Sequence, residues 1–323
     1  MDNIVRTVGL DLAKSSFHVF CANQEGRRVE SGALRRSEVL GYFAKLDPCT
    51  VAMETCSSAN WWCRQLGASD HDAGAICEAA KRPNMRFAPV KSERSSGLLS
   101  LQRTRQAMIK QRTMNVNHVR AVFAEFVVVA PSGSKGFEQL AEQLRMGIEA
   151  LPSVLRESQK PALTVIERLQ ESIDDLHARI LTSEASLRLE EIPGVGVLSA
   201  TYLAAVLEDG SAYRSGRQFS ASLGLVPEQR STGGRQKLVG ITKKGDPLLR
   251  KLVFEGAFAV LGHRIRDGGR NFPGTARRVK EKSLKGVAVE LANRNARTAW
   301  SMIRHGTRYD PQRQRMREQS MAA

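Results

Sequence analysis

Val8-Gly9-Leu10-Asp11-Leu12-Ala13 reads as a buried strand with an acid at its centre. An ionised carboxylate is costly among apolar neighbours unless a cation compensates it, so Asp11 is a candidate metal ligand. A second strand-like run, Thr50-Val51-Ala52-Met53-Glu54, ends on another acid. With the two strands adjacent, Asp11 and Glu54 meet at one point on a sheet edge and form half of a divalent-metal site.

Around this pair the apolar pattern predicts strands over Val5 to Ala13, Ser16 to Cys21 and Arg28 to Gly32, with Asn23-Gln24-Glu25-Gly26 as a turn of an antiparallel meander. Ser37 stands where it would cap a helix from Glu38 to Leu46, a strand from Thr50 to Thr55 follows, and Trp61 to Leu66 begins another helix. Strand, strand, strand, helix, strand, helix is the order of ribonuclease-H-like folds, although many α/β domains share part of it.

The 323 residues suffice for two or three domains, and the 41% apolar content excludes a disordered chain. Forty-nine Lys and Arg against 33 Asp and Glu leave a formal charge of +16, which favours a polyanionic partner, nucleic acid before anionic membrane. No charge-free apolar stretch approaches a membrane span, and Met1-Asp2-Asn3 does not open a basic-then-apolar leader, so the expected compartment is the cytoplasm, with no membrane partner. Cys21, Cys49, Cys56, Cys63 and Cys77 are odd in number and contain no Cys-x-x-Cys pair, and the six His form no His-x-x-x-His pair. Reduced, packed thiols and an oxygen-bound metal are therefore expected.

Residues 92–127 mix Arg, Lys and Gln with apolar residues at helical spacing, and Pro131-Ser132-Gly133-Ser134 links them to a second helical block. There Ile166, Leu169, Ile173, Leu176 and Ile180 recur at spacings of three and four. Such a stripe serves either as a coiled-coil seam between copies of the chain or as the buried face of a helical bundle. Further on, Ile192-Pro193-Gly194-Val195-Gly196 falls between two helical runs in the pattern of a helix-hairpin-helix. In that reading Gly194 and Gly196 allow a tight turn and leave backbone N–H groups at the next helix N-terminus for a phosphate; a plain glycine-rich connection is the alternative.

The most polar loop of the C-terminal half, residues 223–235, sets Ser231 beside Gly233-Gly234, with Arg230, Arg235 and Lys237 nearby. Ser231 reads as a nucleophile on a flexible loop flanked by phosphate-stabilising cations or, with no His or Asp base adjacent, as a turn serine. Lys243-Lys244-Gly245-Asp246 opens a helix from Pro247 to Leu261, and a basic run of Arg277-Arg278, Lys280, Lys282 and Lys285 follows. These cations bind phosphates or form a solvated face.

The blocks VGLDLAKSSFHV (8–19), VAMET (51–55), AICEAAKRPNMRFAPVKS (75–92), IPGVGVLSATYLAA (192–205), SGRQFSASLGLVPEQRSTGG (215–234) and GITKKGDPLLRKL (240–252) occur in this order over nearly the whole chain. Together they resemble the transposases of the insertion-sequence 110 family, including its 1111 subgroup and the Piv-type DNA invertases. The resemblance implies an α/β plus α architecture. A RuvC-like, ribonuclease-H-like domain carrying the acids Asp-Glu-Asp-Asp would span 1–91, a helical and coiled-coil region 92–190, and a helical C-terminal domain bearing the helix-hairpin-helix and a serine 191–323. It implies that Asp11 and Glu54 are the first two acids and hold a divalent cation, Mg²⁺ by the hardness of their oxygens. Ser231 would attack a DNA phosphodiester and form a transient protein–DNA link. A homo-oligomer acting on element ends and target DNA is also implied and, for some members, a structured guide RNA whose base pairing reads sequence while the protein grips backbone.

This chain departs from that pattern in one place. The family's third and fourth acids lie in a motif of the form Asn-Asp-x-x-Asp-Ala after a further strand, whereas here Trp61 to Leu66 runs through Gly67-Ala68-Ser69-Asp70-His71-Asp72-Ala73 directly into Gly74-Ala75-Ile76-Cys77. One strand and its approach are missing. In one alignment Asp72 is the fourth acid and Ser69 takes the place of the third, with Asp70 one position away. In the other, His71-Asp72 belongs upstream and neither late acid survives. An impaired metal site is the expectation, because its carboxylates need a defined geometry.

Overall fold

Alternation of apolar and polar residues builds the first sheet in the computed structural model, which describes residues 4–54, 56, 58–67, 90–147, 151–180, 182–232, 235–266, 273–312, 316 and 319–320. The chain divides into two compact units, Met1–Ser95 and Ser96–Ala323. In the first, β1 (Thr7–Asp11), β2 (Ser16–Ala22), β3 (Arg28–Arg35) and β4 (Thr50–Met53) form one sheet in the order β3-β2-β1-β4. The meander β1-β2-β3 is antiparallel and β4 joins β1 in parallel. Val8 and Leu10 of β1, Phe17, Val19 and Cys21 of β2 and Val51 of β4 share one buried face. Two helices complete this core, α1 (Val39–Phe43) through Val39 and Phe43 and α2 (Ala59–Gly67) through Trp62 and Leu66. Phe17 meets Trp62 edge to face at 5.1 Å, and the Arg36 guanidinium lies 5.3 Å from the Trp62 ring centroid. Each large side chain so buried contributes roughly 1.5–3 kcal/mol.

Two local expectations change. The strands are displaced by a few residues from their expected bounds, β1 being shorter and β3 longer. Helix α1 is also shorter, and Glu38 rather than Ser37 is its N-cap. The Glu38 carboxylate turns back to accept the Arg35 N–H at 2.8 Å, so it closes the preceding turn instead of capping the helix.

In the second unit α3 (Glu93–Ala124), α4 (Ser134–Met146) and α5 (Ser153–Ala178) share a core of Val119 and Phe123, Leu140 and Leu144, and Leu163 and Ile166. Arg112 of α3 donates to Gln170 of α5, which extends the pairing along the two helices. The stripe of α5 is thus buried at Ile166 against helices of its own chain, as a bundle face would be. The expected linker at Pro131 is tied down, since Arg120 donates to the carbonyls of Ala130, Pro131 and Gly133.

A larger core gathers α6 (Glu184–Leu189), α7 (Val197–Leu207), α8 (Gly216–Ser222), α9 (Pro247–Arg266) and α11 (Leu284–His305), with α10 (Pro273–Glu281) between the last two. Helix α7 is buried on nearly every side, from Ser199 through Leu207, so it is the central element. Leu99, near the start of α3, belongs to this core, and that one helix therefore spans both. Strands β5 (Pro227–Thr232) and β6 (Arg235–Ile241) form an antiparallel hairpin between α8 and α9. Among the described residues no helix is long and apolar enough to cross a membrane.

Candidate active site and nucleic-acid interface

Leu10 of β1 lies beside Met53 of β4 in parallel register, so Asp11 and Glu54, the next residue on each chain, come level at the carboxyl ends of the two strands. Both are exposed. Adjacent carboxyl ends of parallel strands are a place where open α/β sheets bind ligands, and Asp11 also pairs with His18 of β2 across the antiparallel ladder. The expected meeting of the two acids on neighbouring strands is therefore present in the backbone. Among the described residues, no group of three or more His, Cys, Asp or Glu is arranged to hold a metal. Asp72 lies outside the described residues, as do Ser69, Asp70 and Cys77. The other four cysteines are free thiols, Cys21 and Cys49 buried; burial pushes both of their pKa values up, which keeps them protonated and inert.

Ser231 is placed differently from the expectation of a flexible loop. Its backbone is strand, paired with Gln236, one step before the closing pair Thr232 and Arg235. Gly233-Gly234 supply the two intervening residues of the hairpin, a composition that suits a two-residue connection. For Ser231 and Arg235 the structure describes the backbone alone. Arg230 lies directly opposite Lys237, both exposed. Like charges facing across a ladder repel, and Glu228 offsets this in part through an ion pair to Arg230 at 3.3 Å. An anion between the two cations would remove the repulsion.

The hairpin leaves a clamped base. Gly224 (φ +69°) approaches Lys244 so closely that a Cβ would stand 2.5 Å from its backbone nitrogen, and one on Gly245 (φ +76°) would stand 1.9 Å from the Ser222 carbonyl oxygen. Only glycine fits either place. Arg250 of α9 donates to the carbonyls of Leu223 at 3.1 Å and Lys244 at 2.7 Å, binding the two ends together. Lys243 has φ +54° and, with Lys244, is exposed on this base.

Asp246 then starts α9. Its carboxylate accepts the N–H groups of Leu248 and Leu249 at 2.9 and 3.1 Å, the Tyr202 hydroxyl at 2.6 Å and the Arg103 guanidinium at 3.1 Å. Burial alone would raise its pKa; the Tyr202, Leu249 and Arg103 hydrogen bonds outweigh it and hold the carboxyl below its usual range. For Tyr202, burial and then the Asp246 contact push the phenol well up. This network joins α3, α7 and α9, and no local sequence signal marks it, since Arg103 and Asp246 are 143 positions apart.

Gly194 (φ +88°) turns the connection from α6 to α7, and a Cβ there would stand 2.6 Å from the carbonyl oxygen of Gly256 in α9. Its demand for glycine comes from this backbone approach as well as the turn. Gly196, the N-cap of α7, has open space where a side chain would be. The basic run on α10 is partly neutralised, with Arg277 on Glu281 at 3.2 Å and Arg278 on Glu290 at 3.6 Å.

Residues 186–272 match the model described as transposase IS116/IS110/IS902 family. The chain is similar to a probable family 20 transposase of Pseudomonas aeruginosa, 35% identical over 94% of this chain and 98% of that protein. It is similar also to the transposase for insertion sequence element IS1328 of Yersinia enterocolitica, at 32% over 94% and 98%, and to that for IS1111A of Coxiella burnetii, at 29% over 93% and 90%. The chain belongs to this insertion-sequence transposase family. The Pseudomonas alignment runs over 335 positions while 94% of this chain is about 304 residues, so roughly thirty positions have no counterpart here.

Proposed function

We propose that this transposase cuts and rejoins DNA strands with Ser231 as nucleophile and Asp11 and Glu54 as metal-holding acids of a RuvC-like domain. The observation that carries this reading is the parallel pairing of β1 with β4, which levels the two carboxylates. The sheet order and the helices after β3 and β4 support the ribonuclease-H-like assignment. Asp11 and Glu54 would hold Mg²⁺, which when bound supplies charge stabilisation at the reacting phosphate. The Ser231 hydroxyl attacks phosphorus, the serine O–P bond forms, the bond to the departing sugar oxygen breaks, and the serine proton is passed on to that oxygen. One phosphodiester replaces another, so the link is reversible and a second strand end can rejoin it. Arg230, Arg235, Lys237, Lys243 and Lys244 neutralise phosphate around the hairpin, and the connection at Gly194 and Gly196 serves as a helix-hairpin-helix contact to DNA backbone. A homo-oligomer and a guide RNA complete the reading, the RNA supplying the sequence recognition that backbone contacts lack.

A second reading, a remnant that binds nucleic acid without chemistry, is favoured by the absence, among the described residues, of a third ligand beside Asp11 and Glu54. Purified protein, Mg²⁺ and DNA carrying the element's ends decide between them. Strand cleavage lost separately in Asp11→Ala and Ser231→Ala is the expected result; DNA binding with no cleavage in the parent protein establishes the remnant instead.

A further inference from the structure

Beside the hairpin base the second unit holds an open cleft of about 940 Å³. Pro227 of β5 and Ile241 of β6 are part of its lining, and five arginines line it with two carboxylates, Glu290 and Asp310. Guanidinium groups are planar, permanently charged forks that match phosphate oxygens, so five of them along one cleft suit a polyanion. Two of the five carry the argument. Arg278 and Arg308 already meet Glu290 and Glu191 at 3.6 Å each, whereas Arg217 of α8 and Arg297 of α11 are exposed and make no ion pair among the described residues. They face the same cleft from two helices whose backbones touch: a Cβ on Gly216 would stand 3.0 Å from the Arg297 carbonyl oxygen. The wall behind them is fixed, since Asn293 donates to the Leu225 carbonyl at 3.0 Å and Trp300 to that of Gly210 at 3.0 Å.

We infer that this cleft binds the phosphate backbone of the DNA duplex whose strand is presented to Ser231, with Arg217 and Arg297 as its two principal contacts. The inference rests on the reading of Ser231 given above. Ser231 is four strand residues from Pro227, about 13 Å at the rise of a β-strand. That is about four steps of duplex at 3.4 Å per nucleotide. A duplex held in the cleft therefore extends to the hairpin, and its position is fixed by a surface that performs no chemistry. DNA is favoured over RNA as occupant by this continuity with the hairpin.

The test measures binding of the full-length protein to a 30-bp DNA duplex of arbitrary sequence, and to an RNA duplex of equal length, by fluorescence anisotropy between 50 and 200 mM salt, lengths and concentrations of roughly this order sufficing to resolve a counterion slope. Arg217→Gln with Arg297→Gln is expected to flatten the log–log salt slope for DNA by about 2, about 1 for each lost phosphate contact. Arg217→Lys with Arg297→Lys, which keeps the charges, is expected to restore it. A parental DNA slope in the Gln pair overturns the inference, as does a loss confined to RNA or a loss the Lys pair does not restore. Ser231→Ala separates the two proposals. Retained cleavage in that variant removes the nucleophile and leaves the cleft to be judged on its slope; lost cleavage with an unchanged slope in the Gln pair removes the cleft alone.

Discussion

Gly256 occupies the middle of α9 where the helix meets the backbone at Gly194: a Cβ on it would lie 1.8 Å from the Gly194 carbonyl oxygen. Alanine normally stabilises a helix interior by roughly 0.5–1 kcal/mol over glycine, and here the clash reverses the sign. Gly256→Ala is expected to destabilise by about 1–3 kcal/mol or more, while Gly262→Ala, six positions on with nothing within 4 Å of the new methyl, should stabilise. Urea denaturation of the two variants reads the contrast, and equal effects would show that the close approach does not matter. Arg230 and Lys237 carry a different residue-scale conflict, because facing like charges lower stability by about 0.2–1 kcal/mol. Lys237→Gln should raise the melting temperature slightly and weaken DNA binding. A variant that loses both, or gains both, contradicts a cation pair kept for an anion.

Asp246 ties the hairpin base to α9, and its titration sets the pH response of that element. Its carboxyl pKa is held below the ordinary 3.8 by hydrogen bonds that outweigh burial. The stabilisation is therefore fully present above about pH 4 and is lost as pH falls through the lower folded value. Asp246→Asn removes a charge-assisted cap and the Arg103 pair, at a cost of about 1–3 kcal/mol near neutrality. The gap between parent and variant should close below pH 4 in denaturant titrations; a gap independent of pH would mean that the negative charge contributes nothing. The same region shows what was legible in the sequence. The first sheet could be read because its apolar alternation is local, and Asp11 and Glu54 stood out against it. The serine hairpin could not, for β5 is polar after Pro227, β6 is polar over its first three residues, and their place is set by Gly224 and Gly245 pressing on chain around twenty positions away. Nothing near Tyr202 marks it as the partner of a residue 44 positions on. The α5 stripe fitted both an oligomer seam and a bundle face, and only the packing of Val119 and Phe123 on Ile166 shows how that part of it is used.

At the scale of the whole molecule, the two units have separate hydrophobic cores, one around Trp62 and Phe17, others around Phe123 and Tyr202. Separate cores melt cooperatively within themselves, so thermal unfolding should show more than one transition. That separation allows the metal question to be asked without DNA. A cation that binds only the folded first unit stabilises it by RT ln(1 + [L]/Kd), about 2.7 kcal/mol at a hundred times Kd. In a unit of this size such a gain raises the midpoint by roughly ten degrees or more, while the second unit, which lacks Asp11 and Glu54, should not move. Calorimetry of the full chain with and without Mg²⁺ therefore predicts one shifted transition and one fixed. Asp11→Ala and Glu54→Ala should each abolish the shift, and Ser231→Ala should leave it intact. A parent chain whose transitions ignore Mg²⁺ at millimolar concentration would mean that two level carboxylates do not suffice, and the remnant reading would then follow from the loss of the late acids rather than from any defect in the serine hairpin.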